Sequence, residues 1–344
     1  MKWWQIILWP LSLLYGSLLA VRNGLYNIGL FKSVTFEVPT IVVGNLEVGG
    51  SGKSPFVDFL ATQLENKYKI GILSRGYGRN TRGFLFVKDH SEADRVGDES
   101  LMLKLKHPNA IVAVCENRVI GMNEILKEYP HLDCILLDDA FQHRRLKAGY
   151  YILLTQFALP FYNDFVLPAG RLREFAIGRK RANTVVVTKM PIDISTEKQI
   201  EMKRLLDLNN QQSVFFAKYI QGDLIQVFGG EALPEKNVIL ITGIANASRL
   251  KIELSKEFVI LKHAANSDHY KYEKASFDFF NKVADTKTII TTAKDWVKWQ
   301  PFLSVFEGWK VFVAPIKVEV KEEEILINKL SAYIDLNKHG IRKS

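Results

Sequence analysis

The residues VGGSGKSP (48–55) carry the most specific chemical signal in this 344-residue chain. Gly49, Gly50, Ser51 and Gly52 are small enough for a backbone to wrap around an anion with its N–H groups turned inward. Lys53 and Ser54 follow directly, one suited to the β- and γ-phosphates of a nucleotide such as ATP and the other, through its hydroxyl, to Mg²⁺. Pro55 fits the first turn of a helix whose N-terminus faces the same anion. The run TIVV (40–43) before the loop, and the spacing of Phe56, Phe59, Leu60 and Leu64 after it, supply the strand and amphipathic helix that a phosphate loop requires. The strict pattern would place glycine at position 47, where this chain has Glu47; Gly49 and Gly50 supply the flexibility instead. A glycine-rich turn without a ligand is the plain alternative, and the Lys-Ser pair after a strand argues against it.

A phosphate loop needs a carboxylate to hold its metal, usually at the end of another buried strand. Asp138 and Asp139 close the apolar run Ile135, Leu136, Leu137, although paired aspartates there also suit a helix cap. Asp98 and Glu99 follow Gly97 ahead of a helix, where a carboxylate acts either as a cap or as a base for an attacking hydroxyl. His143 and His269 are further candidates, although a lone histidine is more often a surface or structural residue than a catalytic one. Three basic segments, 74–82, 141–147 and 169–181, start near strand ends, where the ligand crevice of an open parallel sheet lies; solvated basic faces are the ordinary alternative.

The elements that must position these groups alternate along the chain. Segments 39–44, 68–74, 110–115, 133–139, 150–155 and 183–189 read as buried parallel strands, with helical periods between them. The expected fold is α/β: a phosphate-loop, doubly wound, mostly parallel sheet in a core domain over 32–210. A smaller C-terminal α/β domain over 211–344 is expected from strands at 213–219, 238–243, 258–263, 288–295 and 309–315. Residues 1–31 form an apolar helix flanked by Lys2 and Arg22 and studded with Trp3, Trp4, Trp9 and Tyr15, types that settle at lipid headgroups. An in-plane or shallowly inserted anchor is the preferred reading, with a packed core helix or a full span as alternatives. A formal charge of +9 favours an anionic partner, but no nucleic-acid module is recognisable. Cys115 and Cys134 lack metal or disulfide spacing, which points to a reducing compartment.

Taken in order, VGNLEVGGSGKSP, ILSRGYGR, VGDE, ENRV, LDDAFQHRRL, LPAGRLRE, SDHY and TTAKD resemble the tetraacyldisaccharide 4'-kinase family across most of the chain. Ala140, Arg171, Glu47 and Ala293 stand where that family commonly has Gly, Pro, Thr and Glu, changes that touch local geometry. The resemblance implies transfer of the ATP γ-phosphate to the 4'-hydroxyl of an acylated glucosamine disaccharide 1-phosphate at the cytosolic face of the inner membrane. It implies Lys53 and Ser54 as phosphate and Mg²⁺ contacts, Asp138 and Asp139 at the metal, Asp98 as general base and His269 as the histidine that tunes it. Tyr77, Arg79, His143, Arg173 and Glu174 become candidate contacts to lipid head or nucleotide. No obligate protein partner is implied. The competing reading is a membrane-associated regulatory NTPase; a guanine-reading element is absent from VTKMPID, where Pro191 takes the place of the required aspartate.

Overall fold

A computed structural model describes residues 3–230, 233–244, 247–268, 270–277 and 285–338. Its strands are β1 (Thr40–Asn45), β2 (Ile70–Ser74), β3 (Leu85–Phe86), β4 (Ile111–Val114), β5 (Cys134–Asp138), β6 (Tyr150–Gln156), β7 (Thr184–Thr188), β8 (Ser213–Gln221), β9 (Ile225–Phe228), β10 (Asn237–Thr242), β11 (Val259–Ala265), β12 (Thr288–Thr291), β13 (Lys310–Val313) and β14 (Ile316–Val320). Among the described residues they form a nine-stranded sheet, ordered β14-β8-β7-β6-β1-β5-β2-β4-β3, and a five-stranded sheet, ordered β11-β10-β12-β13-β9. The large sheet is parallel except at its two edges, β3 and β14. Its interior strands are almost wholly buried, which is why they read as continuous apolar runs and show no alternation.

The α-helices are α1 (Trp3–Asn27), α2 (Lys53–Leu64), α3 (Ala93–Val96), α4 (Asp98–Lys106), α5 (Arg118–Glu128), α6 (Thr196–Leu205), α7 (Ala247–Leu254), α8 (Ala293–Trp299) and α9 (Glu323–Lys338). One face of the large sheet is covered by Phe56 and Leu60 of α2, Leu101 of α4 and Leu326, Leu330 and Ile334 of α9. The other is covered by Met122 and Ile125 of α5 and by Met202 of α6. β1 lies between β5 and β6, the point where connections leave in opposite directions, and its Val43 pairs with Asp138. The loop after β1 therefore opens beside the β5 aspartates, in the crevice where open α/β sheets bind ligands.

The division expected at residue 210 does not coincide with the division between the sheets. β8, β14 and α9 belong to the large sheet, while residues 225–313 carry the small one. The chain leaves and re-enters through adjacent antiparallel strands, with Gly222 N–H donating to Pro315 O at 2.9 Å. The polar stretch before β8 is helix α6, a crossover that buries Met202. The strand expected over 288–295 ends at Thr291, because the Thr292 side chain accepts from Asp295 N–H and starts α8.

Helix α1 is long and apolar enough to cross a membrane by length and composition. Even so, one polar stripe ties it to the body. The Gln5 amide donates to Ala169 O, Ala169 N–H to Ser12 Oγ, Asn23 Nδ2 to Glu174 Oε2, and Arg144 to Asn27 Oδ1. Gly16 lies against the Phe175 ring so closely that a Cβ there would stand 2.5 Å from it. Trp3, Ile6, Ile7, Leu11, Leu14, Leu18 and Val21 face outward, uncovered.

Because Leu330 is fully buried against the phosphate-loop layer, Leu330→Ala should cost about 2–5 kcal/mol in urea unfolding of the full chain. No loss would mean that α9 is an appendage.

Candidate active site

Left-handed backbone at Gly49 (φ 107°) and Gly52 (φ 85°) lets the loop after β1 double back before α2. Its carbonyls are held from outside: Lys189 Nζ donates to Gly50 O, Thr188 Oγ1 to Ser51 O at 2.9 Å, and Tyr219 OH to Gly52 O at 2.8 Å. A planar trans peptide sends the next N–H the opposite way, so the Gly52 and Lys53 amides face the mouth at the N-terminus of α2. Any Cβ at Gly52 would collide with the Tyr219 ring. Glu47 lies fully buried beneath the loop, accepting from Thr155 Oγ1 at 3.2 Å, with burial pushing its pKa up. It is packing under the loop, and the glycine of the strict pattern is not needed there.

Lys53 Nζ lies 3.3 Å from Asn45 Oδ1 and 3.7 Å from Asp139 Oδ1. The Ser54 hydroxyl donates to Glu99 Oε2, so its carboxylate partner comes from α4. Asp138 ends β5 in a buried position, and its Oδ1 has no hydrogen-bond partner. Burial, followed by the Glu99 and Asp139 charges, pushes its pKa up to about 7 against the pull of Lys53 and Arg118. Ser54, Glu99 and Asp138 thus form an anionic corner with an unsatisfied oxygen, the donor chemistry that Mg²⁺ takes. Among the described residues no group of three His, Cys, Asp or Glu side chains closes on a point.

Asp98 occupies the first turn of α4, where its Oδ1 accepts the Glu99 N–H at 2.9 Å. It is also ion-paired across the two sheet units, 3.3 Å from Lys298 and 3.9 Å from Lys294 of α8. The helix-cap and charged-site readings of Asp98 therefore coexist. Arg173 binds Asp139 at 3.1 Å and donates to Gln142 Oε1, while Gln142 Nε2 donates to Asn45 O at 2.8 Å. Glu174 is buried and bonded to Arg181 at 2.7 Å and to Asn23 of α1, which makes it a brace for the helix. Arg79 is held by Glu116 at 2.6 Å and by Gly83 O, and so fastens its own loop. Tyr77 is exposed on the loop after β2, with its carbonyl against Gly97, just before Asp98. His143 lines a cavity of about 300 Å³ with Arg22, Tyr26, Arg118 and Arg144. His269 lies outside the described residues.

Glu99 stands in the sequence beside Asp98 as a cap or base candidate, while Arg118 of ENRV and Lys294 of TTAKD carry no assignment there. Glu99 touches Ser54, and Arg118 donates to the Asp138 carbonyl at 2.8 Å. Lys294 stands 3.8 Å from Glu99. Only the spacing of a charged residue next to one already singled out could have pointed to them.

A phosphate loop at the switch point of a parallel sheet, facing carboxylates from the neighbouring strand, defines a P-loop phosphotransferase of the α/β class. The family model for tetraacyldisaccharide-1-P 4'-kinase matches residues 4–335. The chain is 39% identical to tetraacyldisaccharide 4'-kinase of Cytophaga hutchinsonii, covering 96% of both chains. To that of Bacteroides thetaiotaomicron it is 35% identical, covering 99% of this chain and 92% of the relative. The crystal structure of the apo-form enzyme from Aquifex aeolicus in complex with ATP superposes with a TM-score of 0.76 at 28% identity, over 96% of this chain and 99% of that one. The chain belongs to the tetraacyldisaccharide 4'-kinase family, and is an ATP-dependent kinase of lipid A biosynthesis.

Burial, followed by the charges of Arg118, Arg75 and Arg22, lowers the His143 pKa to about 4 against an ordinary 6.5. Between these values the unfolded chain binds a proton that the folded chain refuses, so stability is complete above about pH 6.5 and declines toward pH 4. His143→Gln should flatten that slope in urea titrations across pH. An unchanged slope would mean an ordinary imidazole.

Proposed function

We propose that the chain transfers the γ-phosphate of ATP to the 4'-hydroxyl of an acylated glucosamine disaccharide 1-phosphate at the cytoplasmic face of the inner membrane. The observation that carries this reading is the segment 165–175, which touches both halves of such a reaction. Toward the donor side, Arg173 N–H donates to Leu46 O and Val48 N–H to Arg171 O, both at 2.7 Å. Toward the apolar helix, Ala169 and Glu174 bond to α1, and Phe175 packs on Gly16. The outward face of α1 lies in the membrane surface, parallel to it, because its polar stripe is engaged with the protein from Gln5 to Asn27. A spanning orientation would strip those groups of their partners at several kcal/mol each.

In the reaction, the loop amides and Lys53 hold the phosphates, with Arg173 keeping Asp139 beside Lys53. Asp98 takes the proton of the 4'-hydroxyl as the new O–P bond forms and the bond to the ADP oxygen breaks. Ser54, Asp138 and Asp139, with Glu99 on the Ser54 hydroxyl, would hold Mg²⁺, which would supply neutralisation of phosphate charge. Tyr77 and His143 remain candidate contacts to the lipid head, one exposed on the loop after β2 and the other lining the cavity with Arg22 and Tyr26. The unit of residues 222–315 closes over the nucleotide, and the rest of the chain after α1 is the core. Because a sugar hydroxyl is a weak nucleophile, most acceleration comes from alignment and charge neutralisation, and a base adds about 10²- to 10⁴-fold.

Purified protein incubated with Mg-ATP and a 1-phosphorylated acyl disaccharide should yield, by mass spectrometry, a product heavier by one phosphate. Free phosphate released at the same rate without acceptor would instead support the regulatory NTPase. Asp98→Asn should lower kcat by about 10²- to 10⁴-fold with ATP affinity nearly unchanged. Normal turnover would leave Asp98 as a helix cap alone.

A further inference from the structure

Lys294 belongs to the small-sheet unit, yet its ammonium lies among the carboxylates of the large one. Its Nζ is 3.9 Å from Asp98 Oδ2, 3.8 Å from Glu99 Oε1 and 2.8 Å from Asp268. The Ser54 hydroxyl binds the other oxygen of the same Glu99 carboxylate. Lys294 therefore stands between the group proposed to deprotonate the acceptor and the corner proposed to hold Mg²⁺. In-line transfer brings the moving phosphoryl group through that interval, since the attacking oxygen must approach from the base and the phosphate oxygens must reach the metal.

The position is held firmly. Asp295, the next residue, is fully buried: it accepts from Gly243 N–H at 2.9 Å, Tyr272 OH at 3.1 Å and Thr292 Oγ1 at 2.6 Å. Lys298, one turn further along α8, anchors the helix on Asp98 at 3.3 Å. With Lys298 in place, Asp98 keeps a cationic partner when Lys294 turns to another anion.

We propose that Lys294 is a catalytic residue, a cation supplied by the small-sheet unit that exchanges its carboxylate partners for the oxygens of the transferring γ-phosphoryl group. Lys53 reaches the same phosphates from the phosphate-loop side, so the developing charge is met from two sheets that must be docked together. This role rests on the kinase reading above. It makes the small-sheet unit a contributor to the chemistry itself as well as a cover for the nucleotide.

The test compares wild type, Lys294→Gln and Lys294→Arg with Mg-ATP and the 1-phosphorylated acyl disaccharide, following lipid product and thermal melting. Removing one preorganised donor of this kind costs about 10²- to 10³-fold in turnover. Lys294→Gln should lose kcat on that scale with KM for ATP within about threefold and unchanged melting, and Lys294→Arg should recover part of it. The role is overturned if Lys294→Gln keeps kcat within about threefold, if the whole loss lies in KM for ATP, or if it follows melting and Lys294→Arg melts normally without recovering turnover. A wild type that makes no lipid product would overturn the kinase reading instead.

Discussion

The pairing of segment 165–175 with the phosphate loop on one side and with α1 on the other is the constraint on which the rest of the structure depends. Leu46 and Val48, the residues that launch the loop, are bonded to Arg173 and Arg171, while Ala169, Glu174 and Phe175 receive the helix. The segment meets the loop through two backbone hydrogen bonds of 2.7 Å and the helix through the side chains of Gln5, Ser12 and Asn23, with no flexible linker between helix and site. Glu174 is bonded to both Arg181 and Asn23, so its charge stays balanced while it braces the helix.

Charge crowding is the second organising fact. Asp98, Glu99, Asp138 and Asp139 converge from α4 and the end of β5, and Lys53, Lys294, Lys298 and Arg173 answer them. The balance is incomplete at Asp138, whose buried oxygen lacks a partner and whose proton is held up to about pH 7. Burying a carboxylate without a partner for one of its oxygens is costly to folding, and such perturbed groups cluster at functional sites. Half of the answering cations come from the small sheet, so electrostatics joins the two sheets more specifically than apolar contact could.

Much of this was legible in the sequence because parallel strands buried on both faces announce themselves as unbroken apolar runs. β1, β5 and β7 fall within one or two residues of where those runs place them, and VGGSGKSP and ILLDD fix the ligand crevice between β1 and β5. Short edge strands such as β3 and β14 have no such signature, since two to five half-exposed residues resemble loop. The division between the sheets does not follow the boundary expected at 210, because a sequence does not show that a chain will leave a sheet at β8 and return to it at β14. The contacts of Glu99 with Ser54 and of Lys294 with Asp98 were hidden for the same reason: each partner lies far along the chain. Ser12, Gly16 and Asn23 form the docking stripe of α1, which the apolar composition of 1–31 does not reveal.

The central claim is that the acceptor hydroxyl enters between Asp98 and the phosphate loop with its lipid lying along α1. The most direct measurement is a structure of the chain with a non-hydrolysable ATP analogue, Mg²⁺ and the acyl disaccharide in nanodiscs. The account predicts the 4'-hydroxyl within hydrogen-bond reach of Asp98 and in line with the γ-phosphate, with acyl chains leaving beside Trp3, Ile7, Leu14 and Leu18. A disaccharide seated away from Asp98, or acyl chains directed toward the small sheet, would contradict it.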